Sequence, residues 1–87
     1  MKFNQTLEHL LQEDPPLKPS ALYHLSKIET DELEQLTEIW SAIPVERRRE
    51  SVKALVEIAE TNFEVDFEAT FRWGLRDSDS EVRAACV

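Results

Sequence analysis

The eleven residues Asp77-Ser-Asp-Ser-Glu-Val-Arg-Ala-Ala-Cys-Val87 constrain the fold more than any other stretch of this chain. Asp and Ser side chains hydrogen-bond nearby backbone amides, the chemistry of a turn that opens a helix. Ser78 and Glu81 stand at capping-box spacing, where each side chain can satisfy a free amide at a helix start. Val82, Ala85 and Cys86 then supply one apolar side. Just upstream, Asp66 is placed to cap a helix whose core face is Phe67, Phe71, Gly74 and Leu75. Helix, polar turn and helix make a hairpin. Such a unit cannot cover its own apolar face and must stack on a neighbour.

The upstream chain repeats this logic. Thr30 is the expected cap of a helix with Asp31, Glu32 and Glu34 near its positive end. Leu33, Leu36, Ile39, Trp40 and Ile43 recur at helical spacing. Pro44 ends that helix and suits the first turn of the next, where its missing N–H costs nothing. The apolar stripe then runs from Val45 through Val52, Leu55, Val56 and Ala59, with Arg47, Glu50, Lys53, Glu57 and Glu60 opposite. Nearer the start, Phe3, Leu7, Leu10 and Leu11 form a stripe that Asp14-Pro15-Pro16 terminates. Ser20 is the expected cap of a short helix carrying Ala21, Leu22 and Leu25. A single glycine and the absence of sustained alternation disfavour sheet. The expectation is an all-α domain over residues 1–87 with five or six helices: capping helices over 1–28, a first hairpin over 30–61, and a second over 66–87 that stops early.

An internal echo sharpens this. Glu50-Ser-Val52-Lys-Ala-Leu-Val56 and Ser80-Glu-Val82-Arg-Ala-Ala-Cys86 share the order small or acidic, Val, base, Ala, two apolar. Each follows an aromatic-bearing helix, Leu36 to Trp40 in one case and Phe67 to Phe71 in the other. A fixed period of paired helices is the signature of a solenoid. The stretch Phe71-Arg-Trp-Gly-Leu75-Arg-Asp77-Ser-Asp79-Ser-Glu-Val82-Arg83-Ala-Ala85 resembles the HEAT-repeat signature: a first helix ending in Leu, an Asp-containing turn, and a second helix opening with Val-Arg. The resemblance covers Asp66 to Val87 well and Thr30 to Glu60 loosely, since Pro44-Val-Glu-Arg replaces the Asp-rich turn. It implies stacked antiparallel hairpins in a right-handed solenoid fragment. It also makes Asp77 and Arg83 candidates for the hydrogen bonds that link adjacent repeats in that family. The short last helix implies either further repeats of a longer chain or completion by another chain.

Composition narrows the task. Eighteen acidic residues against ten basic ones give a formal net charge of −8. That field disfavours nucleic acid and anionic membranes and suits a basic partner. Arg47-Arg48-Arg49 is the only basic run, and as consecutive helical residues it forms no single stripe; local ion pairing is expected. Cys86 is the lone cysteine, so no internal disulfide forms and a cytoplasmic location is expected. Its place on the apolar side of a helix reads as a packed thiol. No run approaches the length of a membrane span, and the first residues lack the apolar core of a signal peptide.

No catalytic constellation is legible. Asp77-x-Asp79-x-Glu81 lacks the Gly and the final Glu of a calcium loop. His9 and His24 lie on separate helices with no ligand at metal spacing. One glycine builds no phosphate cradle. No metal or cofactor is implied. Trp73, with Arg72 and Arg76 beside it, sits roughly opposite the Phe67–Phe71–Leu75 side of its helix. It is either packed on the preceding hairpin or an interaction anchor, since Trp and Arg dominate interface energetics. The reading is a non-catalytic protein–protein interaction scaffold. Its partner would be another protein, further repeats, or a second copy meeting it through the C-terminal helix. The alternatives are a nucleic-acid-binding helical repeat and an accessory or lyase-type factor with such repeats.

Overall fold

A computed structural model of the chain describes residues 3–12 and 16–87. Among these the fold is all-helical, with no strand. In chain order the helices are α1 (Phe3–Leu11), α2 (Pro19–Leu22), a 3₁₀ turn (Tyr23–Leu25), α3 (Thr30–Trp40), α4 (Val45–Thr61), α5 (Glu68–Gly74) and α6 (Ser80–Ala85). The expected stop at Asp14-Pro15 lies outside the described residues. The helices pack into a nearly isometric body of 28 × 28 × 26 Å.

Helix starts follow local chemistry, sometimes one residue from where it was expected. Glu29, not Thr30, precedes α3; its N–H donates to Glu32 Oε1 at 3.0 Å, so an acid three residues on satisfies a free amide. Lys18 precedes α2 and Pro19 occupies the first turn, leaving Ser20 inside the helix, because the fixed φ of proline suits that position. Phe67, not Asp66, immediately precedes α5; from one residue further back the Asp66 carboxylate accepts from the Glu68 N–H at 3.0 Å. Before α6 the cap is Asp79, not Ser78. Asp79 Oδ2 accepts from the Val82 N–H at 3.1 Å, and a carboxylate at a helix start also gains from the dipole.

The closest helix pairing is α4 along α6, and α3 lies beside α5. α1 and α2 cover the other side of α4, and α1 also meets α3. Leu36, Ile43, Val52, Leu55 and Val82 are essentially sealed from water. Val52 and Val82, the echoed valines, are both fully buried. Three expected positions differ. Leu75 is 45%, Leu11 38% and Val45 37% exposed, because each lies at a helix end beyond its neighbour's reach. Arg47, assigned to the solvated face of α4, is buried; its Nε donates to the Gln12 carbonyl at 2.8 Å where the chain leaves α1.

The single glycine marks the tightest approach. A Cβ added to Gly74 would stand 2.3 Å from Cys86 Sγ, and the thiol is buried at the α5–α6 contact. Replacing Gly74 with Ala should therefore cost about 1–3 kcal/mol despite the better helix former. Adding Cys86→Ala should recover much of that loss. A denaturant-midpoint cycle in which the two changes are merely additive would remove this contact from the account.

The N-terminal segment is held by polar bonds as well as by leucines. Thr6 Oγ1 donates to the Ala21 carbonyl at 3.0 Å. The Lys18 N–H donates to His9 Nε2 at 3.0 Å, which requires neutral imidazole with its proton on Nδ1. Burial, then the charges of Arg47 and Lys18, hold the His9 pKa below 6.5. A depressed pKa stabilises the fold above the unfolded value. That contribution is lost as pH falls from about 6.5 through the folded pKa, since the unfolded chain takes up the proton first. Melting curves should show stability declining from pH 7 toward 5, and His9→Gln should flatten the decline. An unchanged slope would assign it elsewhere.

Candidate functional site

The α5–α6 turn meets the α3–α4 corner around one carboxylate. Asp77 is buried, with its side chain only 2% exposed. Trp40 Nε1 donates to Oδ2 at 2.6 Å, and the Asp79 N–H donates to Oδ1 at 2.8 Å. Arg48 brings the compensating charge. Its Nε is 3.0 Å from Oδ2, close enough for ion pairing but poorly aimed as a hydrogen bond, and Nη2 reaches Oδ1 at 3.5 Å. Arg48 Nη1 also donates to the Ile43 carbonyl at 2.6 Å, tying off the α3 C-terminus. One side chain of the α5–α6 turn thus accepts from two side chains of α3 and α4.

Arg83, the other inter-repeat candidate, makes no side-chain pair with α3 or α4. Its Nη1 donates to the Asp77 carbonyl at 2.7 Å and stiffens the turn from within. The second cross-hairpin link is Arg49, whose Nη2 and Nε meet Asp79 Oδ1 and Oδ2 at 2.7 and 3.0 Å, with Nε also 3.0 Å from Glu81. The Arg49 hydrogen bonds are the main reason that the Asp79 pKa falls from 3.8 to about 2. The expected local pairing of Arg48 and Arg49 is thereby corrected: their partners lie some thirty residues away, because α6 packs along α4.

Sequence reasoning passed over Arg48, Trp40 and Arg49 as members of this cluster. A signal existed for Arg48. Positions 48, 52, 55 and 59 share one helical face, so an arginine stood on the core stripe itself.

The three aromatic and cationic candidates, Arg72, Trp73 and Arg76, come together on α5. Trp73 is half-buried against α3, as the packed reading expected, with its Nε1 enclosed and unpaired. The Arg76 guanidinium lies over its ring, 5.8 Å from the centroid. Arg72 pairs with Glu68 one turn back, an exposed pair. Beside them an open groove follows the α3–α5 seam. Leu33, Ala69 and Trp73 form its middle, with Arg72 and Arg76 along the α5 edge. Adjoining hollows extend it past Thr37 and Ser41 at one end and, at the other, to Lys27 and Ile28, where Asp66 and Glu68 also line it. The middle section holds about 290 Å³. That is slightly below the roughly 300–1,000 Å³ of sites that enclose small molecules. An elongated open furrow accommodates a side-chain row better than a metabolite.

Among the described residues no group of three His, Cys, Asp or Glu side chains is placed to hold a metal ion. No helix among them is long and apolar enough to cross a membrane. Burial first, and then Asp77, push the Cys86 thiol upward, away from the reactive thiolate. Comparison with protein-family models, curated proteins and solved structures returns no match to this chain.

Proposed function

We propose that the chain is a non-catalytic protein-binding module, built as two HEAT-like hairpins stacked in a right-handed sense on an N-terminal cap. The observation that carries this reading is the parallel pairing of elements. First helix lies on first helix, second on second, with Val52 and Val82 sealed at echoed positions and Asp77 bridging the two units. Repeat architectures of this kind present long surfaces to partners. The α3–α5 groove is such a surface, and Arg72, Trp73 and Arg76 are its anchors.

The alternatives lose their supports. A nucleic-acid surface needs free cations, and Arg48 and Arg49 are engaged by Asp77 and Asp79. A lyase-type role needs an available acid or base in a cleft; Asp77 already accepts from Trp40 and the Asp79 amide and pairs with Arg48. The lone cysteine requires no oxidising compartment, which supports a cytoplasmic location.

The test is site-directed photocrosslinking in extract of the native source. A photoreactive side chain at position 72, in the groove, is compared with one at position 57, on the exposed side of α4. Protein adducts from 72 alone are expected. Nucleic-acid adducts, or equal labelling from both positions, would reject the reading.

A further inference from the structure

We infer that the α3–α5 groove binds an acidic peptide segment of a partner protein, with an apolar side chain over Leu33 and Trp73 and a carboxylate on Arg76. This rests on the protein-binding reading above and names the chemistry of its occupant.

The argument begins with where the arginines spend their charge. Arg48 and Arg49 meet carboxylates of the second hairpin, and Arg72 meets Glu68. Arg47 and Arg83 donate to the carbonyls of Gln12 and Asp77. Among the described residues Arg76 is the one arginine whose guanidinium meets neither a carboxylate nor a carbonyl. It stands exposed in a chain with eighteen acidic side chains, so an unneutralised guanidinium is an exception to the chain's own pattern.

Its setting prepares it to bind. Contact with the Trp73 ring restrains the guanidinium, so less rotamer freedom is lost when a ligand arrives. The planar fork can then take a carboxylate with two parallel hydrogen bonds. Arg72, one turn away on the same edge, is paired with Glu68, and Lys27 at the far end stands beside Asp66 and Glu68, so the uncompensated positive charge of the groove is at Arg76. The floor between is apolar: Leu33, Ala69 and the Trp73 face. The uncompensated Arg76 and the apolar floor together complement a segment carrying both acidic and apolar side chains. A basic segment, which the overall charge of −8 would otherwise attract, meets like charge here.

The test uses the intact protein and three short synthetic peptides. One carries Glu residues around a central Leu and Phe. The second has every Glu replaced by Lys, and the third keeps Glu but replaces Leu and Phe with Ser. Binding is read by tryptophan fluorescence, since Trp73 lines the middle of the groove, and by calorimetry. The first peptide should bind and weaken as salt rises; the other two should bind about tenfold more weakly or worse. Arg76→Glu should abolish binding of the first, and Arg76→Lys should weaken it while retaining the charge. Arg76→Gln, checked for an unchanged thermal melt, separates lost recognition from lost folding. Preference for the Lys peptide or for duplex DNA, or indifference to all three Arg76 variants, overturns the inference. So does failure of the first peptide to bind, even if position 72 crosslinks to protein; that result leaves the protein-binding reading standing and removes only the acidic occupant.

Discussion

Asp77→Ala should destabilise the fold by about 3–5 kcal/mol, the usual cost of removing one partner from a buried ion pair. The size follows from what the change leaves behind. Arg48 keeps its charge in a site where its side chain is only 10% exposed. Trp40 Nε1 and the Asp79 N–H lose their acceptors, and each unsatisfied buried donor costs about 1–3 kcal/mol. A domain this small has only about 5–10 kcal/mol to lose, so the variant should be largely unfolded at moderate urea. Circular dichroism against denaturant measures this. A loss below about 1 kcal/mol would mean that water reaches the carboxylate and that the hub is a surface pair. The triple change Trp40→Phe, Arg48→Met and Asp77→Leu removes every charged member and the indole donor. It should recover a large part of the loss, because apolar replacement of a whole buried cluster is often close to neutral.

Leu36→Ala should cost about 2–5 kcal/mol, by lost transfer energy and by the cavity left behind. Leu36 is sealed from water within the core cluster that also holds Leu7, Trp40, Leu55 and Phe67. It is therefore part of the one core that α1, α3, α4 and the Phe67 region share. Collapse of neighbours into the gap is restricted because Trp40 is fixed by Asp77, which favours the upper part of that range. The same truncation at Leu75, 45% exposed, should change stability by no more than about 0.5 kcal/mol. Urea midpoints for the pair compare a core position with an apparent one. Equal losses would overturn the assignment of the buried face.

These two sites show what could be read from the chain alone. Leu36 was legible because hydrophobic periodicity reports directly on burial: the 3.6-residue stripe of α3 points at whatever it packs on. Leu75 fitted the same period on α5, yet the helix ends at Gly74 and the position stays 45% exposed. Periodicity gives a direction and not the extent of the neighbour. Asp77 was legible as a turn residue of interest, through its resemblance to a repeat signature, but its partners were not. Trp40 and Arg48 are far away in sequence, and a polar pair at long range leaves no local trace. Arg48 was hidden by its neighbours: within Arg47-Arg48-Arg49 the eye reads a solvated run, although the helix turns each of the three to a different surface. Arg47 faces the α1 exit, Arg48 the Asp77 hub, and Arg49 the α6 start. α4 buries such a wide arc because it is the central helix, touched by α1, α2 and α6. Its charged residues had to find partners inside the fold.

The close seat of Cys86 against Gly74 has a practical corollary. A thiol that is shut away and held in its protonated form cannot meet an alkylating reagent until the last helix lifts off. Labelling speed in undenatured samples is therefore a clock for that lifting. Because the chain has one cysteine, the signal comes from a single location with no engineering. A ligand that clamps the terminal hairpin should slow the clock in proportion to its occupancy, so the native sulfur doubles as an internal gauge of engagement.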